Sequence, residues 1–78
     1  MPTVLRRGPY RVYFYSHEGD EPPHVHVTRD DCTAKIWLAP VLVAHNLDFG
    51  PGELRVIQRL VRRYEAELLE AWDEYFGF

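Results

Sequence analysis

His24-Val25-His26-Val27-Thr28-Arg29, followed by Asp30-Asp31 and, past Cys32, by Thr33-Ala34-Lys35-Ile36-Trp37-Leu38, is the stretch whose reading decides the fold. Both six-residue runs alternate, and alternation at period two is the mark of a strand with one buried face. Asp30-Asp31 suits a hairpin turn. If the two strands pair around it, His24 lies opposite Trp37, Val25 opposite Ile36, His26 opposite Lys35 and Thr28 opposite Thr33. Val25, Val27, Ala34, Ile36 and Leu38 then form the core face, while His24, His26, Lys35 and Trp37 point the other way.

Working outward toward the N-terminus, His17 to Pro23 is a polar loop that ends in two prolines. Pro22 and Pro23 hold the chain extended just before His24. Residues 10–16, Tyr10-Arg11-Val12-Tyr13-Phe14-Tyr15-Ser16, are aromatic and β-branched and predict another strand. Gly8-Pro9 punctuates a short lead over residues 1–9. Toward the C-terminus, Ala39-Pro40 breaks the third strand. Residues 41–45 form a fourth of undecided facing, suited to a sheet edge. Gly50-Pro51-Gly52-Glu53 reads as a helix start, with proline at the first position and Glu53 where a capping-box acid stands. Leu54, Ile57, Val61, Tyr64, Leu68, Ala71 and Tyr75 recur at three and four, widened by Leu60 and Trp72, which predicts one helix over 51–76. The expected architecture is α+β: a four-stranded antiparallel meander with one long C-terminal helix across one face, a single domain over residues 1–78.

Composition limits the function. The chain has 78 residues, 46% of them apolar, and a net charge of −3. That charge exerts no general pull on nucleic acid. A single cysteine, Cys32, cannot form an internal disulfide and suits a reducing compartment. The start lacks an apolar signal core, and no apolar run approaches the ~18–20 residues of a membrane span. A cytoplasmic location with no membrane partner is expected.

The pieces Met1-Pro2-Thr3-Val4-Leu5, Tyr13-Phe14-Tyr15-Ser16, Glu21-Pro22-Pro23-His24-Val25-His26-Val27, Lys35-Ile36-Trp37-Leu38 with Pro40-Val41, and Glu53-Leu54 with Trp72 resemble the small bacterial family called domain of unknown function 4160. The resemblance covers nearly the whole chain. It departs at Gly50, where a serine-type cap is expected, and around Gly19-Asp20. It implies a short single-domain bacterial protein, often encoded beside another small family, domain of unknown function 2442, in the manner of toxin–antitoxin gene pairs. It supplies no catalytic residues.

Three arrangements carry chemistry. An open sheet face of Arg11, Tyr13, Tyr15, His24, His26, Lys35 and Trp37 suits a protein interface. It also suits stacking of unpaired RNA bases, or cover by residues 1–9. His24 and His26 point the same way, about 7 Å apart by strand rise. They can share Zn²⁺ or Ni²⁺ with His17, Glu18, Asp20, Glu21 or Cys32, act as a general acid–base pair, or simply be two partly exposed histidines. On the helix, Arg55, Arg59, Arg62 and Arg63 precede Glu65, Glu67, Glu70, Asp73 and Glu74, the reverse of what the macrodipole favours.

The sequence reading favours an interaction module over an enzyme. The module is half of a two-gene, toxin–antitoxin-like system. It binds a neighbour-encoded protein, or a second copy as a homodimer, through Arg11, Tyr13, Tyr15, Lys35, Trp37, Arg55 and Arg59. The alternatives are a histidine-dependent ribonuclease or RNA-binding toxin using His24 and His26, and a metal-binding protein using His24, His26 and His17. No cofactor is required by the first reading, and Zn or Ni belongs to the last.

Overall fold

The computed structural model describes residues 3–77; Met1 and Pro2, part of the expected lead, lie outside the described residues. Five strands form one antiparallel sheet in chain order: β1 (Thr3–Arg7), β2 (Tyr10–Tyr13), β3 (His24–Arg29), β4 (Cys32–Leu38) and β5 (Val41–Leu47). Two helices follow, α1 (Pro51–Arg63) and α2 (Glu65–Phe76). The α+β class and the antiparallel meander are as expected; the strand and helix counts are not.

The expected lead is in fact β1, which pairs with β2 and extends the sheet instead of folding over its open face. Gly8-Pro9 is the hairpin turn between them. Gly8 takes φ 56°, a conformation that glycine adopts without strain. β2 stops at Tyr13, short of the predicted residue 16, because the chain turns there into the loop that builds the site. The β3–β4 register is the predicted one: His24↔Trp37, Val25↔Ile36, His26↔Lys35 and Thr28↔Thr33. Asp30, at φ 53°, makes its turn. β5 is an edge strand and carries a bulge. Lys35 pairs with His45 and Ile36 with Val43, which leaves Ala44 as the extra residue. Val41 and Val43 therefore share the face of Ile36 and Leu38, and Leu42, His45 and Leu47 share the open face.

The predicted single helix is broken at one residue. Tyr64 leaves helical geometry at φ −107° and ψ 16°. Tyr64 N–H still bonds Leu60 C=O at 3.3 Å, and Leu68 N–H bonds Tyr64 C=O at 2.9 Å. The break is thus a bend that keeps phase, so Ile57, Val61, Leu68 and Trp72 stay on one buried side. Ile57, Val61 and Leu68 pack on Val12 and on Val25, Val27, Ala34, Ile36 and Leu38, the core face read from alternation, while Trp72 packs against Phe14 and His24. Phe49, just before α1, is also core, held by Asn46. The Asn46 amide donates to Phe49 C=O at 2.9 Å and accepts Phe49 N–H at 3.2 Å. Tyr75, expected on the buried stripe, is half exposed.

The helix start lacks a side-chain cap, as Gly50 implies. Glu53 makes no capping box. Its carboxylate takes two bonds from Arg29, Nε at 2.6 Å and Nη2 at 2.8 Å, and one from Tyr10 Oη at 2.8 Å. A bidentate arginine is the stronger partner, so Glu53 ties α1 to β2 and β3.

Candidate functional site

Beyond β2, the chain doubles back on itself. Glu18 N–H bonds Tyr15 C=O at 3.2 Å, Tyr15 N–H bonds Glu18 Oε1 at 2.9 Å, and Glu21 N–H bonds Glu18 C=O at 3.1 Å. These turns aim the Glu18 carboxylate at the first residues of β3. From the other side, Leu38 N–H bonds Pro23 C=O at 3.0 Å, which locks the diproline to β4 and sets His24 at the rim of the sheet.

His24 and His26 converge on Glu18. His24 Nε2 and His26 Nε2 each lie 3.0 Å from Glu18 Oε2, and His26 Nε2 is equally close to Oε1. His24 is 0% exposed, its ring against Trp37 and Trp72 at 5.5 and 5.0 Å. His26 is stacked on Tyr13 at 5.5 Å and meets Tyr15 edge-on at 5.0 Å.

The tautomer of His24 follows from its other nitrogen. Nδ1 lies 3.0 Å from Pro22 C=O, which only accepts, so Nδ1 carries a proton and donates. Nε2 is then the free end of the ring. It is buried and, despite its closeness to Glu18, is not aligned for a hydrogen bond with any described group. A buried polar atom in that state calls for a partner.

The electrostatics are those of a tight cluster. Burial works to raise the Glu18 carboxyl, but the Tyr15 amide and the two imidazoles outweigh it and hold it at about 2. Burial pushes His26 below the ordinary histidine value; Glu18 opposes this, and His24 and Lys35 add to it. The loop that brings Glu18 to the pair also removes water from it, so the shift at His26 is downward.

The three ligand atoms of Glu18, His24 and His26 all lie within 4.8 Å of one another. Ligand atoms at bonds of ~2.0–2.1 Å to a tetrahedral Zn²⁺ stand about 3.3 Å apart, so the 3.0 Å spacings are close to those of a formed site. Two histidines and one carboxylate are a known catalytic zinc donor set. The Nδ1–H bond from His24 to the Pro22 carbonyl is the outer-shell contact that metal-binding histidines make. The residues present therefore fit a d-block cation.

Other expected site residues are placed differently. His17 is exposed and stacks on Tyr15 at 5.6 Å, outside the cluster. Cys32 sits beside Arg29 and the Asp48 carbonyl, each at 3.7 Å. Tyr13 is buried at 6% exposure under Arg11, whose guanidinium lies 4.5 Å from its ring centre. Lys35 pairs with Glu21 at 2.6 Å and covers Trp37 at 4.6 Å. Arg55 and Arg59 lie on α1, across the sheet from Arg11 and Lys35, so the expected binding face is divided between two sides of the molecule. Trp72 was read only as part of the helix stripe and Pro22 only as holding the chain extended; that the Trp72 ring and the Pro22 carbonyl fix His24 had no signal in the spacing of motifs.

No curated protein and no solved structure matches the chain. A family model described as a domain of unknown function (DUF4160) matches residues 10–73, which include β2 to β5, both helices up to Asp73 and every residue of the cluster. The chain belongs to this family.

Proposed function

We propose that this protein binds one divalent d-block cation of the Zn²⁺ or Ni²⁺ class through Glu18 and the Nε2 atoms of His24 and His26. The observation that carries the reading is His24 Nε2, buried and poorly aligned for a hydrogen bond with the Glu18 carboxylate 3.0 Å away, while Nδ1 is committed to Pro22. A cation at that point gives Nε2 the partner it lacks and neutralises a carboxylate that is held ionised far below neutral pH. With three protein donors, one position remains for water or for an outside ligand. Acid–base ribonuclease chemistry is less well served, since both Nε2 atoms are turned toward the same carboxylate and Lys35 is engaged by Glu21. An interaction surface on the open sheet face is less well served too, because Tyr13 is buried within the monomer.

The test is calorimetric titration of metal-free protein with Zn²⁺ and Ni²⁺, paired with thermal melts. The expected result is one ion per chain. At free ion about a hundred times Kd, stability rises by about 2.7 kcal/mol. In a domain of this size that moves the midpoint by about 10–20 °C, reversed by chelator. Failure of both ions to bind, or binding unchanged in Glu18→Gln and in His26→Ala, overturns the reading.

A further inference from the structure

The outer face of the two helices is divided by charge. Arg55, Arg59, Arg62 and Arg63 are exposed on α1, and Glu67, Glu70, Asp73 and Glu74 are exposed on α2. From Leu54 to Arg63 there is no acid, and from Glu65 to Phe76 no base. The bend at Tyr64 keeps both sets on the side opposite Ile57, Val61, Leu68 and Trp72, so they form one continuous strip. Among the described residues no ion pair joins an α1 arginine to an α2 acid. Within one chain like charges are crowded: Arg55 with Arg59, Arg59 with Arg63 and Glu70 with Glu74 repel at i,i+4. The expected conflict with the macrodipole does not arise, because the break at Tyr64 puts Arg62 and Arg63 in the last turn of α1 and Glu65 and Glu67 in the first turn of α2.

We infer that this strip is the interface of a two-fold homodimer in which the helices of two copies run antiparallel. A partner made only of phosphates would answer the arginines and leave the acids facing like charge. A surface that satisfies both halves carries acids and then arginines along the same length. A second copy, reversed, is such a surface. In the antiparallel register Arg55 meets Asp73 of a second copy, Arg59 meets Glu70 and Arg63 meets Glu67, and the two-fold axis repeats each contact. Ala66, small and exposed, lies near the axis, where the helices come closest. A groove of about 290 Å³ lined by Val56, Arg59, Leu60 and Arg63 flanks the strip and gives the contact its apolar part. Antiparallel helices also set each macrodipole beside its opposite. The inference is independent of the metal site, which lies at the rim of the sheet.

The test is sedimentation of the full chain at two ionic strengths, with charge-reversal variants checked by circular dichroism for folding. Wild type is a dimer at about 0.1 M salt and dissociates toward about 1 M, where the screening length falls from ~10 to ~3 Å. Arg59→Glu and Glu70→Arg each weaken the dimer about tenfold or more by opposing like charges. The double variant R59E/E70R regains it, and so does an equimolar mixture of the two single variants. A monomer at low salt, a dimer indifferent to salt and to both reversals, or single variants that weaken without rescue in the double, overturns the antiparallel dimer.

Discussion

The backbone of Gly19 rests against the ring of Phe76. A methyl group on Gly19 would stand 2.5 Å from Phe76 Cδ1 and 2.9 Å from Cε1. The ring has little room to yield, because it is packed on Trp72 at 4.4 Å, Tyr75 at 5.1 Å and Phe14 at 5.4 Å. The loop that carries Glu18 is thus seated on the last turn of α2.

Gly19→Ala is expected to destabilise the protein by about 1–3 kcal/mol through overpacking. Phe76→Leu in the same chain should recover part of that loss. A denaturation double-mutant cycle measures it, and residues in contact show a coupling of about 0.5–3 kcal/mol. Additive effects of the two changes would mean that the loop and the helix end do not bear on each other.

Acid stability depends on Glu53. Its carboxyl is held below the ordinary glutamate value, first by the bonds from Arg29 and then by the bond from Tyr10, with burial opposing. Arg29 stays charged throughout, its own value raised further by Glu53. A depressed carboxylate contributes stability that is fully present above its unfolded pKa, about 4.3, and is lost as pH falls through the folded value. Glu53→Gln should therefore lower the melting temperature at pH 6–7. Its difference from wild type should shrink as pH falls below about 4. Melts across that range check it. A difference that grows toward acid would reverse the sign and reject the clamp.

Much of the sheet was legible because its signals are local. The alternation of Val25, Val27, Ala34, Ile36 and Leu38 determines faces, and Asp30-Asp31 determines the turn, so the β3–β4 register follows without tertiary information. β1 was missed because Thr3-Val4-Leu5-Arg6-Arg7 shows no alternation at period two and Gly8-Pro9 punctuates a loop and a hairpin alike. The bend at Tyr64 left no trace, since the period of Ile57, Val61, Leu68 and Trp72 runs through it. The histidine pair was visible as an i,i+2 motif. The choice of Glu18 over Asp20, Glu21 and His17 was not, because it depends on turns closed by backbone hydrogen bonds from Tyr15 and Glu21.

That choice yields the last prediction. Glu18 and His17 are neighbours in sequence, yet Glu18 is aimed at both imidazoles while His17 lies exposed on Tyr15. His17→Ala should leave Zn²⁺ affinity within about threefold of wild type, an allowance for the lost ring contact. Glu18→Gln keeps size and loses the anionic donor, and loss of a ligand costs more than the ~10–100-fold typical of outer-shell changes. Trp72 supplies a readout that does not depend on activity. Its ring stands 5.0 Å from that of His24, so a paramagnetic Co²⁺ or Ni²⁺ ion held on Nε2 should quench its fluorescence. The measurement is titration of a Trp37→Phe background, in which Trp72 is the single indole, carrying each change in turn. Saturable quenching in the background and in H17A, but not in E18Q, is the expected pattern. Equal loss in H17A and E18Q would place His17 in the ligand set and require a loop arrangement different from the one that Tyr15 and Glu21 close.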